Sequence, residues 1–529
     1  MQSARRVVAT VAGMPGRSRD TELRFREPSR RWPSLSGHVG GAAMLFVAAG
    51  IIVSALVELG AGGGETASML AASGLVAVAG FVLWRGTEVP EKMTASATFV
   101  AVGSTWILAS LAGAIPYLLT GTFDTVDDAL FESISGFTGT GSTVLAPIEA
   151  APRGVLFWRN LTQWYGGTGI VVLAVAILPF LGVGGMDMLS AEAPGPTTDR
   201  LAPRISETAR RLWQVYAGLT VAAIVLLLLV GMSPFDAVTH AFTAVSTGGL
   251  SPYDSSIAAF DSVAVELALV VLMLVSAASF TLHWRAVTGR PRAYLESPLF
   301  RFYIGVFVAF TAAVTALLWT QQGLGFGKAL RDATFNVASL LTSTGFGTSD
   351  YVQWVPGTQL LLLALMVSGG MAGSTSGGLK LVRARVLLLH ALRELRRIRH
   401  PRAVLPVRLG RDAMPERIVQ RVIGYALLYI VFIGLGCLAL AFLGAGLPEA
   451  AGAAASAMGN MGPALGEAGP ASNFLYFSRP ARALLMVMML AGRLEIFPVL
   501  YVIGRITGAL PGGPLRRVVR RATALAPTS

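Results

Sequence analysis

Long apolar runs separated by short polar stretches fill most of the chain. They stand at about 38–59, 67–84, 93–119, 155–183, 209–232, 261–284, 299–320, 357–392, 418–444 and 480–508, and about 20 apolar residues suffice to cross a bilayer. The pattern therefore predicts ten membrane spans, the two longest of which are candidates for broken helices.

The polar positions between the runs give an orientation. Arg5, Arg6, Arg17, Arg19, Arg24, Arg26, Arg30 and Arg31 precede the first run, which under the positive-inside rule places the N-terminus in the cytoplasm. Ten spans return the C-terminus, with Arg516, Arg517, Arg520 and Arg521, to the same side. Alternate connections agree: Arg200, Arg204, Arg210 and Arg211 lie in one, Arg285, Arg290 and Arg292 in the next, and 383–417 is rich in arginine. A twin-arginine export signal at Arg5-Arg6 is the rival reading, but the apolar stretch behind it is short and interrupted by arginines.

On the opposite side four semi-apolar segments recur between spans. They are DALFESISGFTGTGS from Asp128, DAVTHAFTAVSTGGL from Asp236, DATFNVASLLTSTGF from Asp332 and EAAGAAASAMGNMGP from Glu449. Each opens on an acid followed by alanine, and in each a glycine stands 13 residues after the acid. An acid suits a helix N-terminus, where it meets free N–H groups and the positive end of the dipole. The tails Thr138-Gly139-Thr140-Gly141, Ser246-Thr247-Gly248-Gly249, Thr342-Ser343-Thr344-Gly345 and Gly459-Asn460-Met461-Gly462 suit extended strands with inward carbonyls. Glycine there permits unusual backbone angles and removes bulk at a narrow point. Four such strands around one axis can line a water-filled cation path, since rings of carbonyl oxygens replace an ion's hydration shell. Taken singly, each tail is also readable as an ordinary turn; the shared spacing argues for a repeated device.

Composition then excludes other classes. The chain is 53% hydrophobic and 13% charged, with a mean hydropathy of +0.63, against roughly 25% charged residues in soluble domains. One cysteine, Cys437, permits no disulfide framework or cysteine metal site, and the five histidines form no HExxH pair. No catalytic motif is present, so the chain reads as a non-enzyme. The net charge of +13 flanks apolar runs, which points to membrane lipid and no nucleic-acid partner.

At these residues the chain resembles the TrkH/TrkG and KtrB family of potassium uptake proteins, the TrkH branch most closely. The resemblance extends to LTQWYGGTGIVVLAVAILPFLGVGGM (161–186), AEAPGP (191–196), PRISETA (203–209), SFTLHW (279–284), GGMAGSTSGGLKLVR (369–383) and GRLEIF (492–497). It implies an all-α polytopic membrane protein: four tandem M1–P–M2 pore-loop repeats with pseudo-fourfold symmetry, plus two extra N-terminal transmembrane helices. The expected divisions are a basic cytoplasmic segment 1–36, two helices in 37–88, repeats at 90–190, 205–290, 295–400 and 415–510, and a basic cytoplasmic tail 511–529. The resemblance implies K+ as the transported ion and a K+ filter formed by the four tails. Gly139, Gly248 and the Asn460-Met461 pair depart from the family's commoner TTG-like pattern. A sodium- or proton-coupled symporter of the same family, with weaker potassium selectivity, is the alternative.

Two features read as a gate. Gly370, Gly373, Ser374, Thr375 and Gly377 fall inside the eighth apolar run, where glycine costs about 1 kcal/mol each in a helix; the family places an intramembrane gating loop there. A small-residue packing face is the alternative. Arg493 is a charge in the tenth run, and such a charge faces a partner or a wet cavity. In the family a matching arginine opposes cation passage below the filter; a structural pair with a carboxylate of another helix is the other reading. Lys380 and the His283-Trp284 pair read as interfacial, and Glu132 as filter support.

The resemblance further implies a homodimer in the cell inner membrane, docked on a cytosolic TrkA-like nucleotide-binding regulatory subunit. No nucleotide is expected on this chain, which has no GxGxxG after a strand. The basic stretch 383–417 is the candidate contact, with anionic lipid as its equal alternative.

Overall fold

The structure, a computed structural model, describes residues 32–90, 95–176, 201–403, 405–410, 412–496 and 498–500. The arginines of the N- and C-terminal segments and the AEAPGP motif lie outside the described residues.

Two helices precede the repeats, α1 (Leu35–Gly60) and α2 (Thr66–Gly86). Gly41 and Gly80 face each other across them, and a Cβ at either would sit within about 3 Å of the other's carbonyl oxygen, so these glycines set the approach of the two backbones. Glu58, buried near the end of α1, accepts a 2.6 Å hydrogen bond from Gly154 N at the start of a later helix. This pins the extra pair to the first repeat through an acid placed on a helix N-terminus.

The repeats follow in order. The first is α3 (Ala95–Leu119), α4 (Val126–Thr138) and α5 (Arg153–Ala176). The second is α6 (Leu201–Leu229), the short α7 (Pro234–Val245), then α8 (Val263–Ser276) and α9 (Phe280–Val287). A small turn, α10 (Ala293–Glu296), leads to the third: α11 (Pro298–Thr320), α12 (Phe326–Leu341), α13 (Pro356–Ser368) and α14 (Leu381–Arg399). The fourth is α15 (Glu416–Phe442), α16 (Leu447–Gly459) and α17 (Arg479–Arg493).

Among the described residues six helices are long and apolar enough to cross a membrane as single rods. In the second, third and fourth repeats the second member breaks, whereas α5 runs unbroken to Ala176, where the described residues pause. α8 and α9 meet at 99°, α13 and α14 are separated by 369–380, and α17 ends at Arg493, before Glu495 and Ile496 at φ 57° and 63°. His283 closes the α8–α9 bend: its Nε2 donates to Val275 O at 2.9 Å and its Nδ1 faces the Tyr294 hydroxyl. It is 4% exposed, so the interfacial reading of His283 is corrected; the bend buries it.

Candidate functional site

The four short helices α4, α7, α12 and α16 end at the glycine-containing tails. Three begin as their acids predict. Thr125 and Ser233 cap α4 and α7, accepting from Asp128 N at 3.4 Å and Asp236 N at 3.2 Å and donating to the same aspartates' carboxylates at 2.7 Å. Glu449 lies in the first turn of α16. The third differs: α12 starts at Phe326, so Asp332 stands in its second turn, because the preceding Phe326-Gly-Lys-Ala already continues the helical run.

The tails themselves are not regular strands. Gly139, Thr247, Ser343 and Asn460 take φ of 66°, 55°, 54° and 50°, and the glycines two residues later, Gly141, Gly249, Gly345 and Gly462, take 85°, 74°, 88° and 101°. A left-handed residue alternates with a right-handed or extended one in each tail, which rules out a β ladder. The exit from the helix repeats too: Thr140 N, Gly248 N, Thr344 N and Met461 N bond to Ser135 O, Thr243 O, Ser339 O and Ser456 O at 2.8–3.1 Å. A β-branched residue in this region is uncommon. Thr247 is held there by its hydroxyl, which donates to Ser246 O at 2.7 Å.

Around an axis the tails close into a cycle. A Cβ at Gly141 would collide with Gly248 O, one at Gly249 with Thr344 O, one at Gly345 with Met461 O, and one at Gly462 would stand 2.9 Å from Thr140 O. Each of these glycines therefore abuts the carbonyl just before the equivalent glycine in the next repeat. Beyond them lies a cavity of about 120 Å³ lined by Gly141, Gly249, Gly345 and Gly462 together with Ser142, Arg159 and Asp254.

Side chains bind the ring laterally. Thr138 shares a 2.7 Å hydrogen bond with Thr140, as Thr342 does with Thr344. Asn460 Nδ2 donates to Thr140 Oγ1 at 3.1 Å and to Met489 O at 2.8 Å, joining the fourth tail to the first. Glu132, the expected support, accepts from Val144 N at 3.0 Å, from Thr143 Oγ1 and from Arg159 Nε at 2.6 Å. Sequence reasoning missed Arg159, which also donates to Ser251 O at 3.0 Å, and Gln163, which reaches the second tail. Both sit four residues apart on α5, a spacing that puts them on one helix face, and that spacing was the available signal.

The 369–380 segment lies under the ring. Thr375 Oγ1 donates to Val245 O at 3.0 Å and lies 3.4 Å from Thr247 Oγ1. Gly377 N donates to Ser343 Oγ at 2.7 Å, the Ser376 hydroxyl bonds the same oxygen at 3.0 Å, and a Cβ at Gly377 would strike Gly459 O. Gly370 N is tied to Ser376 Oγ at 2.7 Å, whereas the Ser374 hydroxyl bonds within the loop, to Met371 O, and Gly373 is exposed, its carbonyl accepting from Phe280 N at 2.9 Å. Lys380 turns its ammonium back onto Ser376 O, so its interfacial reading is corrected: it closes the loop. Arg493 completes the underside. Its Nη1 donates to Thr375 O and its Nη2 to Gly166 O, both at 3.0 Å, and a Cβ at Gly139 would lie 3.4 Å from Nη2. Among the described residues Arg493 makes no ion pair; the nearby Glu495 is bound instead by Arg383 at 2.7 Å. The four left-handed positions thus each meet the loop or the arginine.

The family model for TrkH, a cation transport protein, matches residues 67–303 and 305–506. The chain is 41% identical over 417 residues to the Trk system potassium uptake protein TrkH of Vibrio parahaemolyticus, covering 77% of this chain and 84% of that one. It is 36% identical over 468 residues to the TrkH of Escherichia coli K12, covering 87% and 96%, and 35% identical over 406 residues to the TrkG of the same organism, covering 76% and 83%. The crystal structure of the potassium transporter TrkH from Vibrio parahaemolyticus superposes with a TM-score of 0.82 at 36% identity, covering 89% of this chain and 98% of that chain.

Proposed function

The chain belongs to the TrkH family of cation transport proteins, a family of membrane pore-loop transporters and not of enzymes, and from that premise we propose that it takes potassium into the cell. The observation that carries this reading is the closed cycle in which Gly141, Gly249, Gly345 and Gly462 each rest on a neighbouring tail's carbonyl. Such a cycle brings four backbone segments to one narrow passage, and carbonyl oxygens there can replace the hydration shell of a monovalent cation. The tails 138–141, 246–249, 342–345 and 459–462 act as the K+ filter.

The loop 369–380 and Arg493 act as the gate, holding the path shut in this conformation. Two properties support that role. The loop's hydrogen bonds go to the filter's inner residues, where a packing face would present bare small side chains to a helix. Among the described residues Arg493 has no carboxylate partner: its hydrogen bonds go to two carbonyls and its guanidinium stands 6.0 Å from the Trp106 ring, so no acid offsets its charge where a cation would pass.

The relatives' names place them in a Trk system, a transporter of more than one component. By analogy the chain works as a homodimer in the inner membrane, with both termini cytoplasmic, on a TrkA-like nucleotide-binding subunit that contacts the basic stretch 383–417. Purified protein in liposomes, with Arg493→Ala as the opened form, should take up rubidium or potassium, and sodium should compete poorly. Equal competition by sodium would overturn the potassium assignment.

A further inference from the structure

The ring level formed by Thr140 O, Gly248 O, Thr344 O and Met461 O is not uniform. Gly248 O accepts a 2.7 Å hydrogen bond from Gln163 Nε2, while among the described residues no hydrogen bond reaches the other three oxygens. The amide of Gln163 cannot be turned the other way, because its Oε1 accepts from Leu250 N at 3.0 Å. Gln163 is fully buried and sits in the space a side chain at residue 248 would take: a Cβ there would collide with the Gln163 carboxamide. The three equivalent positions carry threonine, threonine and methionine. Gly248 and Gln163 therefore form one unit, a missing side chain in the second tail filled by an amide from the first repeat.

We propose that Gln163 is a positioning residue that sets cation selectivity by engaging one carbonyl of this level; the inference rests on the filter reading above. An oxygen that already accepts a hydrogen bond is a weaker and less mobile ligand. The level then offers a passing ion three free oxygens and one restrained one. A weaker ligand field returns less of a small ion's large dehydration cost, so it favours potassium over sodium; selectivity in carbonyl sites follows ligand number and field strength or fixed cavity size. Fixing Gly248 and Leu250 on the same amide also serves the second alternative, since it keeps the cavity from shrinking around sodium. Both routes predict the same sign.

The test uses the full-length protein in liposomes with rubidium uptake and sodium as competitor. Gln163→Leu removes both bonds at similar volume, whereas Gln163→Glu, assayed at a pH where its carboxylate is ionised, keeps an acceptor for Leu250 N and loses the donor to Gly248 O. In both variants sodium is expected to compete about fivefold more strongly against rubidium, the factor carried by one hydrogen bond, whatever the absolute uptake. Gly248→Thr alone should abolish uptake through collision with Gln163, and adding Gln163→Ala to it should restore uptake. Parental sodium competition in both Gln163 variants, with Gly249→Ser losing selectivity, overturns this inference and spares the filter. Parental behaviour in the serine variants of Gly141, Gly249, Gly345 and Gly462 as well overturns the filter itself. A change in Gln163→Leu without one in Gln163→Glu assigns the effect to Leu250 and overturns the role of Gly248 O. Failure of both Gln163 variants to fold makes the residue structural and likewise overturns the proposal.

Discussion

A methyl group at Gly249 would occupy the same space as the Thr344 carbonyl oxygen, and the backbone there is left-handed as well, so substitution meets steric and conformational penalties together. Replacing Gly141, Gly249, Gly345 or Gly462 by serine should displace the neighbouring carbonyl and lower potassium-over-sodium selectivity, read as sodium inhibition of rubidium uptake; parental selectivity in all four would refute the filter. Arg493→Ala should raise uptake. Like charges at about 6 Å repel by roughly 3 kcal/mol at an effective dielectric near 20, worth about a hundredfold in rate. Arg493→Lys keeps the charge, though not the two-armed reach to Thr375 O and Gly166 O, so its uptake should stay much nearer the parent; equal uptake in the two variants would show that the charge is not the barrier. The glycines and the lone arginine were legible because their residue types are unusual at those positions. Gln163 was less so: its spacing from Arg159 puts the two on one helix face, but a glutamine beside Trp164 and Tyr165 in an apolar run does not say which backbone that face meets. The departures at Gly139 and Gly248 were visible as anomalies, but what stands against them, a left-handed backbone at Gly139 and the Gln163 carboxamide at Gly248, was not.

At the level of elements, the equal spacing of acid and glycine located all four short helices, and only the start of α12 was misplaced. What the apolar runs could not convey was continuity. Hydropathy registers that a stretch is apolar, not that its backbone turns by 99° between Ser276 and Phe280, because the carbonyls freed at that break are taken by side chains from other elements, His283 among them. The loop between α13 and α14 was legible through its glycines, of which Gly369, Gly373 and Gly378 do adopt positive φ. Deleting within 370–377 should raise basal uptake several-fold, since the loop's bonds to Thr247, Ser343 and Val245 would be withdrawn. Unchanged uptake in a folded, membrane-inserted variant would return the segment to a packing role.

Across the whole molecule the four repeats share one backbone plan while each ring contact is furnished differently. The first repeat holds the second through Arg159 and Gln163, and the fourth holds the first through Asn460. Arg159 and Glu132 are both fully buried, and removing one member of a buried pair leaves the other charge without compensation, at a cost of about 3–5 kcal/mol. Arg159→Met should therefore lower the melting temperature in detergent by several degrees, and Glu132→Gln should do so less, since a neutral amide can still accept from Arg159; no loss in either would refute the pair's structural weight.

The loop's hydrogen bonds to Thr247, Ser343 and the helix end at Val245 also make filter and gate a single thermodynamic system. Whatever ion steadies these residues from above competes, free energy for free energy, with the loop that steadies them from below, and linkage makes the competition mutual. Occupancy by potassium should then loosen the loop by the same factor by which an ordered loop weakens potassium binding. A cysteine placed at Thr375 would report this as a labelling rate that rises with potassium concentration and does not rise with choline, so that the transported ion is also a ligand that helps open its own path.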